Sequence, residues 1–221
     1  MYAASERRKS QVPGNIVTFM IDRNINYTNI CTINCNFCSF YRSPGHEEGY
    51  AQTLDQISAR IEELEELGGS RILMQGGVNP SLDFEWYTEL LSELSKRHPS
   101  IALDCFSPIE IEGISEVSGL STIEVLSRFR ESGMHGLPGG GAEMLVDSVR
   151  SGVSPKKGSS ENWIRVMVTG ELIVRWLPWI YFIYFLASNA REQCFRKNWD
   201  KEGCDKPGCR LGGISQACFC I

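Results

Sequence analysis

The sequence predicts an α/β fold, in which a parallel sheet is built from strands joined by helices. Short apolar or β-branched segments alternate with segments of helical period four times along the chain, and their connections are short. This alternation is typical of parallel strands with helical crossovers, in an open sheet or a closed barrel. Cysteine-rich and glycine-rich segments follow the strands, at the edge where such folds carry their chemistry. We therefore expect these segments to converge on one rim.

The first half of the chain supplies two β/α units. Residues 16–27 are rich in apolar and β-branched types and predict a strand. Thr53 caps a helix of regular apolar spacing, which Gly68-Gly69 ends. A short buried strand follows over residues 71–75, and Asp83 opens the second helix.

Two further units follow with shorter helices. Residues 101–106 predict a third strand and residues 108–117 a short helix. The segment Ser121–Glu124 has the pattern of a capping box and opens the next helix. Residues 134–141 predict the end of a fourth strand that runs into a glycine loop, and residues 142–150 a short helix.

Composition and charge exclude several classes of protein. The chain has 221 residues, of which 42% are hydrophobic and 22% charged, as in ordinary globular proteins. The net charge of −5 argues against a nucleic-acid or membrane-surface partner. No apolar signal segment follows the basic N-terminal residues, so a cytoplasmic location is expected. Clustered cysteines in a reducing compartment indicate metal ligands or catalytic groups.

Three cysteines occupy the loop after the first predicted strand. Cys31, Cys35 and Cys38 have the spacing C-x3-C-x2-C. Three thiolates can ligate three irons of a [4Fe–4S] cluster and leave the fourth iron open to an external ligand. A zinc site completed by His46 is an alternative, although zinc more often uses paired C-x2-C units. Unliganded thiols are a third interpretation.

This motif, with Phe37 before the third cysteine, resembles that of the radical S-adenosylmethionine (SAM) superfamily. The resemblance implies a partial, TIM-like β/α barrel of six strands, of which about four are recognisable here. It implies two cofactors, a [4Fe–4S] cluster and S-adenosyl-L-methionine, with the open iron chelating the methionyl amino and carboxylate groups. Reductive cleavage would then yield a 5′-deoxyadenosyl radical that abstracts a substrate hydrogen.

Five segments carry a narrower resemblance: DRNINYTNIC, CNFCSFYR, ILMQGGVNPSLDFEWY, FSPIEI and LPGGGAEML. Together they are similar to the cyclic dehypoxanthinyl futalosine synthase family of the futalosine route to menaquinone. This implies hydrogen abstraction from the ribose of dehypoxanthinyl futalosine and cyclisation onto its aromatic ring, with an electron donor such as flavodoxin or ferredoxin. The aminofutalosine synthase and F420-precursor synthase families share part of the pattern. They remain alternatives, as does a non-catalytic metal-binding chain.

The resemblance further implies contacts with the cofactor at two glycine segments. Gln75, Gly76 and Gly77 would approach the methionyl amine, although a plain turn before a helix has the same composition. Glu143 would hold the amino group or the ribose. The alternative for Glu143 is a favourable position in the first turn of a helix.

Two further side chains are candidate cofactor contacts. Phe40 would back the adenine, or else pack in the core. Arg150 would pair with a carboxylate of cofactor or substrate, or else be a solvated arginine.

The chain changes character near residue 169. We expect residues 1–169 to form the core, an incomplete barrel, and residues 170–221 to form an unrelated tail, apolar and then cysteine-rich. Helical period, resemblance and cysteine content change together there, which suggests a frameshift or truncation in the gene. Two alternatives are a membrane segment over residues 172–187 and a metal site of the five tail cysteines.

Overall fold

A three-stranded parallel sheet lies at the centre of the fold, in the order β1 (Asp22–Ile25), β2 (Arg71–Met74) and β3 (Ala102–Cys105). The computed structural model describes residues 2–11, 14 and 19–174, so most of the predicted tail, with its cysteines, lies outside the described residues. The register pairs Asp22 with Arg71 and Arg71 with Ala102. In chain order the elements are α1 (Tyr2–Gln11), β1 (Asp22–Ile25), α2 (Leu54–Glu66), β2 (Arg71–Met74), α3 (Phe84–Arg97), β3 (Ala102–Cys105), α4 (Pro108–Ser118), α5 (Thr122–Glu131), α6 (Asp147–Val153), a 3-10 turn (Pro155–Lys157) and α7 (Ser160–Val174).

The predicted fourth strand is reduced to a single bridge. Gly136 pairs in parallel with Asp104, and the His135 amide donates to the Leu103 carbonyl over 2.8 Å. Pro138 follows two residues after Gly136 and has no amide hydrogen to continue a ladder. The described part of the chain therefore contains three continuous strands, where the sequence predicted four.

Side-chain capping starts four of the helices. Thr53 and Gln56 form a reciprocal capping box at α2, as Ser121 and Glu124 do at α5. Asp83 accepts from the Trp86 amide at α3. These starts confirm the sequence prediction, because a local side-chain oxygen decides where the first free amide is satisfied.

The predicted helix over residues 142–150 begins late. It starts at Asp147, after Val146, which supplies no side-chain cap. Gly141 has a φ of +83°, which turns the backbone out of the helical path before this segment. Glu143 therefore lies in a loop, so its alternative role in the first turn of a helix is wrong.

One face of the sheet is apolar and covered by helices. Alternate residues of the strands lie on the same face, and all of those on this face except Arg23 are completely buried. They join side chains of α2, α3 and α5 in one hydrophobic core. Each such burial stabilises the fold by about 1.5–3 kcal/mol. The buried strand residues of this face are Ile25, Ile72, Met74, Leu103 and Cys105.

The opposite face of the sheet is polar and half open. Asp22 and Asn24 are exposed and Leu73 is half-buried. Arg71 pairs with Asp22 over 2.7 Å and lies 3.5 Å from the carboxylate of Asp104. Asp104 is 1% exposed, and burial raises its pKa to about 6.

Among the described residues, no helix has both the length and the apolar composition needed to cross a bilayer. The membrane alternative falls on residues 172–187, most of which lie outside the described ranges. α7 runs through the predicted boundary at residue 169 to Val174. The division of the chain at that boundary stays a prediction.

Candidate cluster and cofactor site

The cysteine loop is held by backbone hydrogen bonds to its own return segment and to the segment that follows β2. The Cys31 amide donates to the Arg42 carbonyl over 2.9 Å, and the Thr32 amide to the Val78 carbonyl over 3.0 Å. The Cys38 amide closes a tight turn on the Cys35 carbonyl over 3.1 Å. The loop thus leaves the sheet at the carboxyl end of the strands.

The three thiols of this loop are free and differ in exposure. Cys35 is buried, whereas Cys31 and Cys38 are half-buried. Burial raises the pKa of the Cys31 thiol, against two backbone hydrogen bonds that favour the thiolate. Within residues 2–11, 14 and 19–174, no three cysteine, histidine or carboxylate side chains are already gathered around one metal position. His46 instead accepts from the Glu48 amide through Nδ1, which engages it locally.

The cysteine loop is hydrogen-bonded on one side to α6 and to the 3-10 turn after it. Asn36 donates from its amide to the Val153 carbonyl over 3.0 Å and from its side chain to the Gly152 carbonyl over 3.1 Å. Lys156 Nζ donates to the Thr32 carbonyl over 3.2 Å. Because these bonds span more than a hundred residues of sequence, they fix two distant segments together.

A cation lies against the aromatic ring of the loop. Lys157 Nζ lies 5.0 Å from the centre of the Phe37 ring and pairs with Glu143 over 2.7 Å. The Lys157 side chain is only 8% exposed, whereas that of Glu143 is 42% exposed. Glu143 thus lies beside the cysteine loop and stays accessible to a ligand.

Gly76 and Gly77 allow the end of β2 to approach the cysteine loop. A Cβ on Gly77 would lie 2.5 Å from the Ile30 oxygen and 2.7 Å from Cys31 Cβ. A Cβ on Gly76 would lie 2.9 Å from the Thr28 oxygen. None of these three distances is tolerable for a real side chain, so both positions require glycine.

The third glycine segment reaches the same rim. Gln75 Nε2 donates to the Phe106 carbonyl over 3.2 Å, and a Cβ on Gly140 would lie 2.4 Å from that nitrogen. Trp163 Nε1 donates to the Gly140 carbonyl over 3.0 Å. The cysteine loop, the segment around Gly76 and the loop around Gly140 therefore meet, as the alternation of elements predicted.

For two candidate residues the structure excludes the alternative to a role in the site. Phe40 is 41% exposed and meets Tyr50 edge-on with ring centres 6.5 Å apart, so the alternative of core packing is wrong. Arg150 is 2% exposed, so the alternative of a solvated arginine is also wrong. Its guanidinium donates to the carbonyls of Gly158 and Gly141, each over 2.8 Å. Arg150 thus shapes the glycine loop through its backbone, and a direct contact with a ligand stays a prediction.

Sequence reasoning missed a buried carboxylate, that of Glu110. It accepts hydrogen bonds from the Tyr27 hydroxyl over 2.7 Å and from the Gly76 amide over 2.9 Å. The Ser107 hydroxyl donates to it over 2.6 Å. Burial raises the pKa of Glu110 more than these hydrogen bonds lower it. The pattern Ser107-x-x-Glu110 resembles a capping box, but it did not reveal that the carboxylate turns inward.

Comparison with known proteins assigns the class. The family model of the radical SAM superfamily matches residues 25–168. The chain belongs to this superfamily. Two solved structures share its fold at 16% sequence identity, each with a TM-score of 0.59: methylornithine synthase, covering 77% of this chain and 46% of that one, and HydG, a maturase of the [FeFe]-hydrogenase, covering 78% and 36%.

Curated relatives narrow the comparison. Cyclic dehypoxanthine futalosine synthase of Halalkalibacterium halodurans is 48% identical over 155 residues, which are 70% of this chain and 42% of that protein. The synthase of the same name from Streptomyces coelicolor is 36% identical, over 74% of this chain and 41% of that protein. A 5-amino-6-(D-ribitylamino)uracil--L-tyrosine 4-hydroxyphenyl transferase of Thermosynechococcus vestitus is 35% identical, over 80% and 46%. The chain thus spans less than half the length of these relatives.

Proposed function

We propose that this chain holds the cluster and S-adenosylmethionine of a radical SAM enzyme that cyclises dehypoxanthinyl futalosine in menaquinone biosynthesis. The observation that carries the proposal is the loop of Cys31, Cys35 and Cys38 seated on Gly77 at the carboxyl end of the sheet. The choice of substrate rests on the 48% identity to a futalosine synthase. Residues 1–169 would form this core in the cytoplasm, with flavodoxin or ferredoxin as electron donor.

The residues present fit the two cofactors by their chemistry. Three free thiols on one loop match three irons of a [4Fe–4S] cluster, because thiolates are the usual ligands of such clusters. Gly76 and Gly77 let the segment after β2 pack directly against the cysteine loop, where a side chain would collide. When bound, the cluster and S-adenosylmethionine supply the electron and the hydrogen-atom abstraction that the reaction needs.

The chain's own residues would bind the cluster, orient S-adenosylmethionine and shield the site from water. Cys31, Cys35 and Cys38 would hold the irons, and Phe37 with Lys157 would cover one side of the loop. The accessible carboxylate of Glu143 is suited to accept hydrogen bonds from an amino group or a ribose.

The remaining candidate contacts lie at the same rim. Phe40 presents an exposed ring on which an adenine can stack. Gln75, Gly76 and Gly77 would bring backbone groups near the methionyl amine. Arg150 would act on this site through the carbonyls of the glycine loop.

The test is formation of 5′-deoxyadenosine. The chain is reconstituted anaerobically with iron and sulfide, supplied with S-adenosylmethionine and dithionite, and compared with Cys35→Ala. Product from the wild type alone, and consumption of added dehypoxanthinyl futalosine, would support the proposal. Stoichiometric zinc in place of iron would contradict it and favour a non-catalytic metal-binding chain.

A second candidate function has its own support in the 35% identity to the 4-hydroxyphenyl transferase over 80% of the chain. Under this alternative the substrates would be tyrosine and 5-amino-6-(D-ribitylamino)uracil. Parallel reactions with each substrate set decide between them, because only one set should be consumed in step with 5′-deoxyadenosine formation.

A further inference from the structure

The buried carboxylate of Glu110 joins the ends of all three strands. Its three donors are Tyr27, Gly76 and Ser107. Each donor stands two residues after the last residue of a strand, since β1 ends at Ile25, β2 at Met74 and β3 at Cys105. A single side chain on α4 therefore ties together the carboxyl end of the sheet, where the cysteine loop begins.

The tie continues from Gly76 to the first cysteine. Glu110 fixes the Gly76 amide, and the Tyr27 hydroxyl also lies 3.4 Å from the Gly77 carbonyl. Gly77 is in turn packed so closely against Cys31 that a Cβ would lie 2.7 Å from the cysteine's own Cβ. A shift of Gly76 and Gly77 would therefore displace Cys31.

The surroundings of Glu110 are apolar, so a carboxylate there stabilises the fold less than an apolar side chain of similar size would. Glu110 is 4% exposed, and the Tyr27 ring that contacts it is packed edge-on against Tyr87 and Phe106. Burying a carboxylate there is unfavourable unless its hydrogen bonds are complete, and apolar groups could fill the same space more cheaply. What the carboxylate adds is a fixed geometry. Its hydrogen bonds form only when the Tyr27 hydroxyl, the Gly76 amide and the Ser107 hydroxyl stand at defined positions around it.

We propose that Glu110, with Tyr27, is a positioning residue that sets the Gly76-Gly77 segment and thereby the cysteine loop. This inference rests on the cluster function proposed above. Glu110 makes no contact with the bound groups in this scheme; it acts through the Gly76 amide and the packing of Gly77 on Cys31.

The first test uses the full chain without iron and follows the alkylation of individual cysteines by mass spectrometry. Tyr27→Phe removes one hydroxyl and no charge, while Glu110→Gln keeps the shape of the side chain. We expect Cys31 to react about fivefold faster in Tyr27→Phe, the effect of losing one net hydrogen bond that holds the loop. Glu110→Gln also removes a negative charge that raises the pKa of the Cys31 thiol, so Tyr27→Phe, which changes no charge, carries the test. The alkylation rate of the buried Cys105 reports on general loosening of the fold. It should rise no more than the loss in the free energy of unfolding accounts for.

Ser58→Ala is the matched control. Ser58 makes a buried 2.7 Å hydrogen bond to His98, which precedes β3 and so lies away from the carboxyl end of the strands. The variant should lose stability without faster labelling of Cys31. Equal acceleration of Cys31 in Ser58→Ala and in Tyr27→Phe would overturn the proposal. If Glu110→Gln does not fold, Tyr27→Phe alone decides.

The second test loads the chain with iron and sulfide and records the electron paramagnetic resonance spectrum with and without S-adenosylmethionine. We expect Tyr27→Phe to keep its iron but to need about tenfold more S-adenosylmethionine for the spectral change, which corresponds to 1.4 kcal/mol. An unchanged dependence would overturn the inference. A wild-type chain that binds no iron would instead refute the proposed function, and the labelling result would stand separately.

Discussion

Gly77 is the residue at which the closest packing of the site can be tested. Gly77→Ala places a methyl group 2.5 Å from the Ile30 oxygen and 2.7 Å from Cys31 Cβ. Because backbone atoms cannot rotate away, we expect the free energy of unfolding to fall by about 1–3 kcal/mol. We also expect the variant to bind much less iron than the wild type after reconstitution. Urea unfolding and iron analysis measure the two effects.

Gly152→Ala is the control for that substitution. No atom lies within 4 Å of the added methyl group, and the residue is in α6, where alanine is favourable. It should bind iron as the wild type does. Wild-type iron content in Gly77→Ala would contradict the assignment of close packing there.

Asp104 should make the stability of the chain depend on pH. Burial raises its pKa in the folded protein to about 6, from 3.8. The folded state therefore holds its proton more tightly, so this stabilisation is complete below pH 3.8 and is lost as the pH rises through 6. We expect Asp104→Asn to gain about 2 kcal/mol relative to wild type between pH 4 and pH 8.

Urea unfolding across that range checks the prediction for Asp104. Asp55→Asn is the control, because Asp55 is 84% exposed and pairs with Arg97 at the surface, where an ion pair contributes little. The assignment would be refuted if the difference in the free energy of unfolding between wild type and Asp104→Asn were the same at every pH.

At the scale of the elements, a buried histidine joins α2 to the end of α3. His98 is 3% exposed; its Nε2 lies 2.7 Å from Ser58 Oγ, and its Nδ1 lies 3.0 Å from Glu65. Ser58→Ala leaves a buried ring nitrogen without a partner, so we expect a loss of about 1–3 kcal/mol. Thermal unfolding measures it, with the exposed Ser151→Ala as control. A loss no larger than that of Ser151→Ala would show that the histidine finds another partner.

The helices show what local sequence can and cannot predict. Thr53, Asp83 and Ser121 were recognisable as helix starts because each cap acts within three residues of its helix. Glu110 was not recognisable, because its partners Tyr27 and Gly76 lie 83 and 34 positions away. Contacts of that span are set by tertiary packing, which periodicity does not encode.

The candidate site divides in the same way. The sequence identified the three cysteines as candidate ligands by their spacing, and the glycines as candidate contacts by their place after strands. The roles of Arg150 and Phe40 depended on burial, which a single charged or aromatic residue in a sequence does not reveal. The missing fourth strand has a simpler reason, because Pro138 stops the ladder after one bridge.

At the scale of the whole molecule, the sheet order predicts unequal protection of the strands. β2 is hydrogen-bonded on both sides, whereas β1 has a partner on one side among the described residues. We expect amide hydrogens of β2 to exchange at least about tenfold more slowly than those of β1, because opening β2 breaks both ladders. Hydrogen exchange read by mass spectrometry tests this, and equal protection of the two strands would contradict it.

The lysine beside the cysteine loop has a consequence for electron transfer. Lys157 lies over Phe37 with its side chain 8% exposed, and its partner Glu143 is 42% exposed, so water screens the positive end of this ion pair less than the negative end. A less screened positive charge favours the addition of an electron, so the lysine would raise the reduction potential of a group bound beside it. The turn after α6, which contributes no cysteine, would thus help to set how strong a reductant the protein requires.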